Sequence, residues 1–401
     1  MPSTQPTGRT ARTVLVSGSG IAGPALAHRL HRYGFEVTVV EKADAVRDSG
    51  YPVDIRGTAL EAVRRMGLLP RMREAHIDTR RLTFVDAEGA TVAVQRPESL
   101  TGGVAGRDIE IRRGDLVTIL YEAVRDDVAY RLGDSIAALH EHADGVDVTF
   151  DSGARHTYDL VVGADGMHSR TRRLAFGTAA HVQRHLGYCF AGFTVPNHLG
   201  LSHEGVVCNT PGRAAILYGP GDTSRLHAFL AFAHDEPSRE LLRDPAAQRE
   251  LTASVFAGGG WEVPRMLDGL RTADDLFFDA VGQIRMSDWS HGRVALVGDA
   301  AHAPSFLSGQ GSSLALAGAY VLAGELATAG GHRAAFAGYE RTMRKFVELN
   351  QDLAPGGAAA LLPRTAEELA RRDRALRAPA QPRDNGGDPA HTALTLPDYR
   401  H

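Results

Sequence analysis

Two glycine-acid segments lie 280 positions apart in this chain, Gly18-Ser19-Gly20-Ile21-Ala22-Gly23 near the start and Gly298-Asp299-Ala300-Ala301-His302 towards the end. Each follows an apolar, β-branched run that reads as a fully buried strand, Val14 to Ser17 before the first and Val294 to Val297 before the second. A chain that brings two such strand ends to one place is restricted to an open, mostly parallel sheet, with the sequence between them folded as an excursion.

The residues around each segment say what the strand ends hold. Pro24 to Tyr33 reads as a helix with proline in its first turn and Gly34 ending it, and Phe35 to Val40 reads as the next parallel strand. Gly18 permits the tight turn, Gly20 lets the backbone approach a pyrophosphate, and Gly23 allows the helix to pack closely on the sheet, with Ile21 and Ala22 between them at the positive helix end. Glu41, 23 residues after Gly18 and followed by Lys42, is placed to accept ribose hydroxyls and would repel a 2′-phosphate. That acid favours FAD or NAD over NADP at the primary site. At the second segment, Asp299 ends a strand where a carboxylate can meet the hydroxyls of a polyol chain, and the turn Ser308-Gly309-Gln310-Gly311-Ser312 opens a helix through Leu314 to Leu326. The positive end of that helix would stabilise an anionic reduced flavin. Together the segments point to one FAD spanning a single fold, because an NAD-dependent dehydrogenase would leave Gly298-Asp299 without a purpose.

The fold class expected is α/β, a doubly wound FAD-binding fold with an inserted antiparallel β-sheet substrate domain and C-terminal helices. Residues 12–180 and 276–330 form the two FAD-binding parts, 181–275 the inserted sheet, 331–380 the C-terminal helices, and 381–401 a flexible tail rich in Pro, Gly, Asp and Asn. Within the first part, Arg80 to Gln95 alternates as strands do, Gly114 to Arg125 has a helical period, and Val146 to Phe150 reads as a strand. The insert is read from Tyr188 to Val195, Ala214 to Tyr218 and Leu226 to Ala233, all aromatic and β-branched, and the C-terminal helices from Ala334 to Leu349 and Thr365 to Leu376.

Bulk properties remove several classes of function. A formal net charge of -4 offers no basic stripe for nucleic acid, and Cys189 and Cys208, the only cysteines, are too far apart for a redox pair or zinc knuckle. A reducing, cytoplasmic setting fits. Arg9 and Arg12 precede an apolar run too short for a signal peptide, and Leu314 to Ala327 carries Glu325 and is too short to cross a bilayer. No membrane association and no metal are expected, and the eighteen histidines show no ligand spacing.

A third segment completes the pattern: the strand Leu160-Val161-Val162 breaks into Gly163-Ala164-Asp165-Gly166, followed by Ser169 and Arg172. In order and spacing the three segments resemble the FAD-dependent single-component aromatic hydroxylases, the para-hydroxybenzoate hydroxylase-like family, over about Val14 to Leu326. The run from Gly50 to Gly57, which includes Asp54, looks like the tetracycline-inactivating branch. The resemblance implies that Glu41 binds the adenosine ribose and Asp299 the ribityl chain, that Arg47 and Arg113 also contact FAD, and that Asp165 and Gly166 serve both FAD and the nicotinamide cofactor. It implies hydroxylation of an aromatic or polyketide-like molecule with NADPH or NADH and dioxygen, through a flavin hydroperoxide, by a monomer or homodimer. One departure stands out: members of the family carry a proline just before the glycine-rich turn, whereas here Pro304 is followed by Ser305 and Phe306.

The inserted sheet is expected to supply the substrate contacts. Phe190, Phe193, Tyr218, Phe229 and Phe232 would line an apolar pocket facing the flavin, with Asp54 and Pro304 beside it; the alternative, favoured for each ring taken singly, is ordinary sheet core. No nucleophile-base pair is assigned, since the cofactor carries the hard chemistry, and His302 reads as a structural hydrogen-bonding residue. A halogenase is disfavoured because Trp261 and Trp289 stand 28 residues apart rather than paired. The alternative kept open is an FAD-binding redox protein or flavin reductase without oxygen insertion.

Overall fold

Thr13–Ser17 is buried on both faces because Val14, Leu15 and Val16 are apolar without interruption, and such a strand is stable only between two covering layers. In the computed structural model, which describes residues 12–46, 50–177, 183–221, 223–378 and 387–399, it is a central strand of a six-stranded sheet. The strand order is Ser290–His291, Val294–Leu296, Leu160–Gly163, Thr13–Ser17, Glu36–Glu41 and Ala129–Leu132, all parallel except the first pair. The chain leaves Thr13–Ser17 towards Glu36–Glu41 and later returns on its other side as Leu160–Gly163. That reversal opens a crevice at the carboxyl ends of the strands, where α/β sheets bind ligands.

Val14, Val16, Val37, Val39 and Val162 face the helices Ala22–Arg32, Gly311–Thr328 and His332–Gln351. Leu15, Val40 and Val161 face a three-stranded meander through Val146, Val148 and Phe150. Gly311–Thr328 is buried on nearly every side, which explains its uniformly apolar sequence. Among the described residues no helix is long and apolar enough to cross a membrane.

The second sheet has seven strands in the order Phe277–Ile284, Gln183–Pro196, Arg225–Ala233, Arg213–Gly219, Glu204–Thr210, Arg81–Val85 and Thr91–Gln95. It is antiparallel except where Glu204–Thr210 runs parallel to Arg81–Val85. The sheet therefore draws on both flanks of the expected insert. Phe277–Ile284, assigned by sequence to the second FAD-binding part, is its edge strand. Helices Pro245–Phe256 and Val263–Thr272 cover one face, and the other face turns towards the nucleotide-binding unit.

The expectation of a flexible tail over 381–401 is corrected for its described part. Residues 387–399 lie against the nucleotide-binding helices, with Ala390, His391 and Leu396 buried. Leu394 O accepts from Thr58 Oγ1 at 2.6 Å, Pro397 O accepts from Arg65 Nη1 at 2.8 Å, and Tyr399 Oη donates to Glu325 at 2.8 Å. The ring of Tyr399 occupies the space a side chain at Gly324 would need. A few widely spaced anchors in a polar sequence produce no periodicity, so composition alone suggests disorder.

Deleting residues 387–401 is expected to leave the fold intact but to raise amide hydrogen exchange in Thr58–Arg65 and around Gly324, by removing a layer from both. Unchanged protection at both places would contradict the packing described.

Candidate functional site

At the end of Thr13–Ser17 the backbone is too crowded for side chains. A Cβ on Gly18 would stand 2.6 Å from Ala164 O, and one on Gly23 only 1.9 Å from Gly18 O. Gly20 differs, because its Cβ would meet only the Arg113 guanidinium at 3.8 Å and otherwise project into open space. Ser19 N donates to Glu41 Oε2 at 2.8 Å and Ala43 N to Glu41 Oε1 at 3.0 Å, so the acid holds the turn from beneath. Helix Ala22–Arg32 starts after Ile21 with no side-chain cap and no acid in its first turn, which leaves its first N–H groups for an anion. Lys42 is exposed, and Arg47 lies outside the described residues.

The other two segments are tied together. Thr171 N and Oγ1 donate to Asp165 at 2.9 and 3.0 Å, and Ser169 Oγ donates to its other oxygen. The Asp165 carboxylate is thus committed to its own turn, leaving Gly166, beside which nothing stands, as the open part of that segment. Arg172 donates to Met167 O at 2.6 Å and to Ala300 O at 2.8 Å, bracing the Asp165 turn against the Gly298-Asp299 segment. His302 is buried, 3.0 Å from Tyr339 Oη and packed against Trp289; burial pushes its pKa down to about 3, so it is a neutral structural residue.

Three groups in the crevice have functions that the described residues leave unanswered. Among the described residues Asp299 accepts no hydrogen bond, and burial raises its pKa although Arg113 opposes the shift. Arg113, at the start of Arg113–Glu122, has no side-chain hydrogen bond or ion pair among the described residues. Gln310 is fully buried with both amide atoms unpartnered, a costly state unless a polar group meets them. A Cβ at Gly311 would have Asp299 Oδ1 at 3.8 Å as its neighbour, so this turn also leaves room. A cation beside the open Gly20 turn suits a pyrophosphate, a carboxylate beside Gly311 suits a ribityl chain, and a buried free amide at Gln310 with a helix N-terminus at Gly311 and Ser312 suits a flavin ring, so the residues fit FAD.

The glycine-rich turn carries the departure noted in the sequence. Ser305 adopts φ 86°, a left-handed value rare for a residue with a side chain. Its carbonyl accepts from Ser308 N at 3.1 Å and Ser308 Oγ at 2.8 Å, which holds the turn. Pro304, expected beside the substrate, is instead buried with its carbonyl bonded to Gln283 at 3.1 Å. Phe306 carries the aromatic contact from this segment to the second sheet.

There it stacks on Phe190, with ring centroids 5.1 Å apart and planes 17° from parallel. Phe190 touches Phe277 at 5.5 Å, Phe277 meets Tyr51 at 6.3 Å, and Tyr51 meets Phe229 edge-on at 5.8 Å. A continuous aromatic wall therefore runs from the glycine-rich turn across the sheet, and Phe277 is 43% exposed on it. Strand alternation divides the five expected rings: Phe190, Tyr218 and Phe229 face this wall, while Phe193 and Phe232 face the opposite way into the core beneath helices Pro245–Phe256 and Val263–Thr272. The latter two are corrected to core residues. Tyr51, Phe277 and Phe306 were missed as wall residues, because only the pairing register shows which ring of a strand faces inward. Tyr218 Oη donates to Glu110 Oε1 at 3.2 Å, and Asp54 pairs with Arg56 at 2.5 Å.

The family profile described as an FAD binding domain matches residues 11–349. A protein from an unidentified prokaryote named a flavin-dependent monooxygenase is 40% identical over 341 residues, covering 85% of this chain and 88% of that protein. An uncharacterised protein of Mycobacterium tuberculosis is 43% identical over 353 residues, covering 86% and 95%. The crystal structure of tetracycline destructase Tet(55) aligns with a TM-score of 0.85 at 36% identity, covering 97% of this chain and 99% of that one.

Gly20→Val is expected to abolish the flavin absorbance of the purified protein while leaving its circular dichroism intact, whereas Gly23→Val loses both; equal behaviour of the two would refute the division between open and crowded glycines. His302 has its folded pKa below its unfolded value, so the unfolded chain takes up a proton the native state refuses. Stability is therefore expected to fall as pH drops below about 6.5, by up to ~1.4 kcal/mol per pH unit. Denaturant unfolding of His302→Gln should show a shallower acid slope.

Proposed function

The chain belongs to the FAD-binding-domain family and, within it, to the flavin-dependent monooxygenases, and from that premise we propose that it uses NADPH or NADH and dioxygen to place one oxygen atom on an aromatic or polyketide-like small molecule. The observation that carries the substrate half of this reading is the aromatic wall from Phe306 to Phe229, which begins at the turn facing Asp299 and Gln310. Similarity to a tetracycline destructase over nearly the whole chain supports a polyketide-sized ring system.

Bound FAD would supply the electron transfer and oxygen activation that side chains cannot. The chain's own residues do the rest. Glu41 shapes the Gly18–Gly23 turn, which would hold the adenosine and pyrophosphate, Arg113 would offset phosphate charge, and Asp299 would order the ribityl hydroxyls. The N-terminus of Gly311–Thr328 would offer its positive dipole end to the ring. The apolar wall orients the substrate and keeps water from the reacting carbon. A redox protein without oxygen insertion would have no use for an aromatic wall at that turn.

The test is anaerobic addition of NADPH to the yellow protein, followed by air and a panel of phenols and aromatic polyketides. Flavin bleaching and a product one oxygen heavier support the reading, and bleaching with no oxygenated product from any member of the panel defeats it. Phe190→Ala is expected to raise KM for a turned-over substrate by roughly three- to tenfold, from the ~0.5–1.5 kcal/mol of a ring pair. Phe193→Ala is expected to lower the melting temperature with KM unchanged.

A further inference from the structure

The aromatic wall has a polar end. Val53, Ile55, Ile109 and Ile111 of the paired strands Pro52–Ile55 and Ile109–Arg112 pack into the nucleotide-binding core. The alternate residues of those strands turn the other way, towards the second sheet. Asp54 and Glu110 are direct cross-strand partners, which places their side chains on one face about 5 Å apart at Cβ. Glu110 reaches the second sheet: Tyr218 Oη donates to its Oε1 at 3.2 Å, Thr79 N donates to its Oε2 at 3.3 Å, and Tyr218 also bonds Thr79 Oγ1. Tyr218 in turn stacks on His227, two positions along its strand from the wall residue Phe229. Asp54 carries its charge beside the glycine-rich turn, since its backbone oxygen lies 3.5 Å from Ser313 Oγ and its partner Arg56 lies under Gly309.

We propose that Asp54 and Glu110, with Tyr218, form the specificity-determining end of the substrate cavity, receiving a phenolic or enolic hydroxyl and refusing a carboxylate. This rests on the monooxygenase reading and names the substrate class within it. The charges facing the pair come from every adjoining element. Arg56 is the buried cation, and its guanidinium is occupied by Asp54 at 2.5 Å. Asp108 adds a further negative charge, His76 sits at the outer edge, and His227 is kept neutral by burial. Burial raises both carboxyl groups, and the charge of Asp54 raises Glu110 further. Asp54 retains 29% of its side-chain surface, with one oxygen bound to Arg56 and the other accepting nothing among the described residues. A hydroxyl finds an acceptor there, whereas an incoming carboxylate meets acceptors and like charge.

The experiment compares two probes of equal ring area, 2-naphthol and 2-naphthoate, by equilibrium dialysis against the FAD-loaded protein. The wild type is expected to bind naphthol at least about tenfold more tightly at about pH 7.5. Asp54→Asn and Glu110→Gln are each expected to reduce that ratio below roughly threefold, chiefly by improving naphthoate binding. In the wild type, naphthoate should also bind more tightly as the pH is lowered from about 7.5, because burial raises both carboxyl groups and protonating either removes like charge from the carboxylate probe. A ratio near one, a preference for naphthoate, no uptake of either probe, or an unchanged ratio in both variants overturns the proposal. If the variants fail to fold, naphthoate affinity that does not respond to pH in the wild type overturns it. Flavin content and reduction by NADPH are recorded on the same samples, so a colourless or unreduced protein counts against the monooxygenase reading, separately from the binding ratio.

Discussion

Everything in the molecule depends on how closely the backbone packs where Thr13–Ser17 ends. Gly18 lies against the carbonyl of Ala164 and Gly23 against the carbonyl of Gly18, so turn, helix and neighbouring strand are locked with no side chain between them. That contact brings the Gly163-Ala164-Asp165-Gly166 turn to the pyrophosphate end of the crevice. Arg172 then carries the arrangement to Ala300, and through it to Asp299. The two ends of one cofactor site are thus related by a chain of short backbone contacts rather than by separate lobes that close on a ligand.

A division of labour among acids follows from the same geometry. Glu41 and Asp165 spend their oxygens on backbone N–H groups and shape the turns. Asp299 has no donor among the described residues and keeps its acceptors for a ligand. Asp165 and Asp299 are the same residue type and both stand beside a glycine, so only hydrogen-bond accounting separates the carboxylate committed to its own turn from the one left open.

Much of the nucleotide-binding unit was legible in the sequence because buried parallel strands and glycine turns leave local signatures. Val14 to Ser17, Leu160 to Val162 and the helix after Ser312 lie within a few residues of their observed ends, and the helix expected from Thr365 runs over Ala366–Arg377. The substrate face was less legible. Phe190 and Phe193 look alike in sequence but point to opposite sides of one strand, and Phe277 joins the sheet by pairing with a strand some ninety positions earlier. Residues 387–399 went unrecognised because Leu396 and Tyr399 find their partners across the whole chain. Long-range pairing, not local preference, decides these cases.

The sheet topology also dictates when the molecule can become complete during synthesis. Thr13–Ser17 and Glu36–Glu41 emerge early, but Leu160–Gly163 must wait for Val294–Leu296, and Asp299, Gln310 and the segment over Gly324 come later still. The adenosine half of the crevice can form on the ribosome while the flavin half has yet to be translated. A site assembled from both halves cannot be complete before Asp299 and Gln310 are made, and until Val294–Leu296 emerges the edge of Leu160–Gly163 has no strand to pair with.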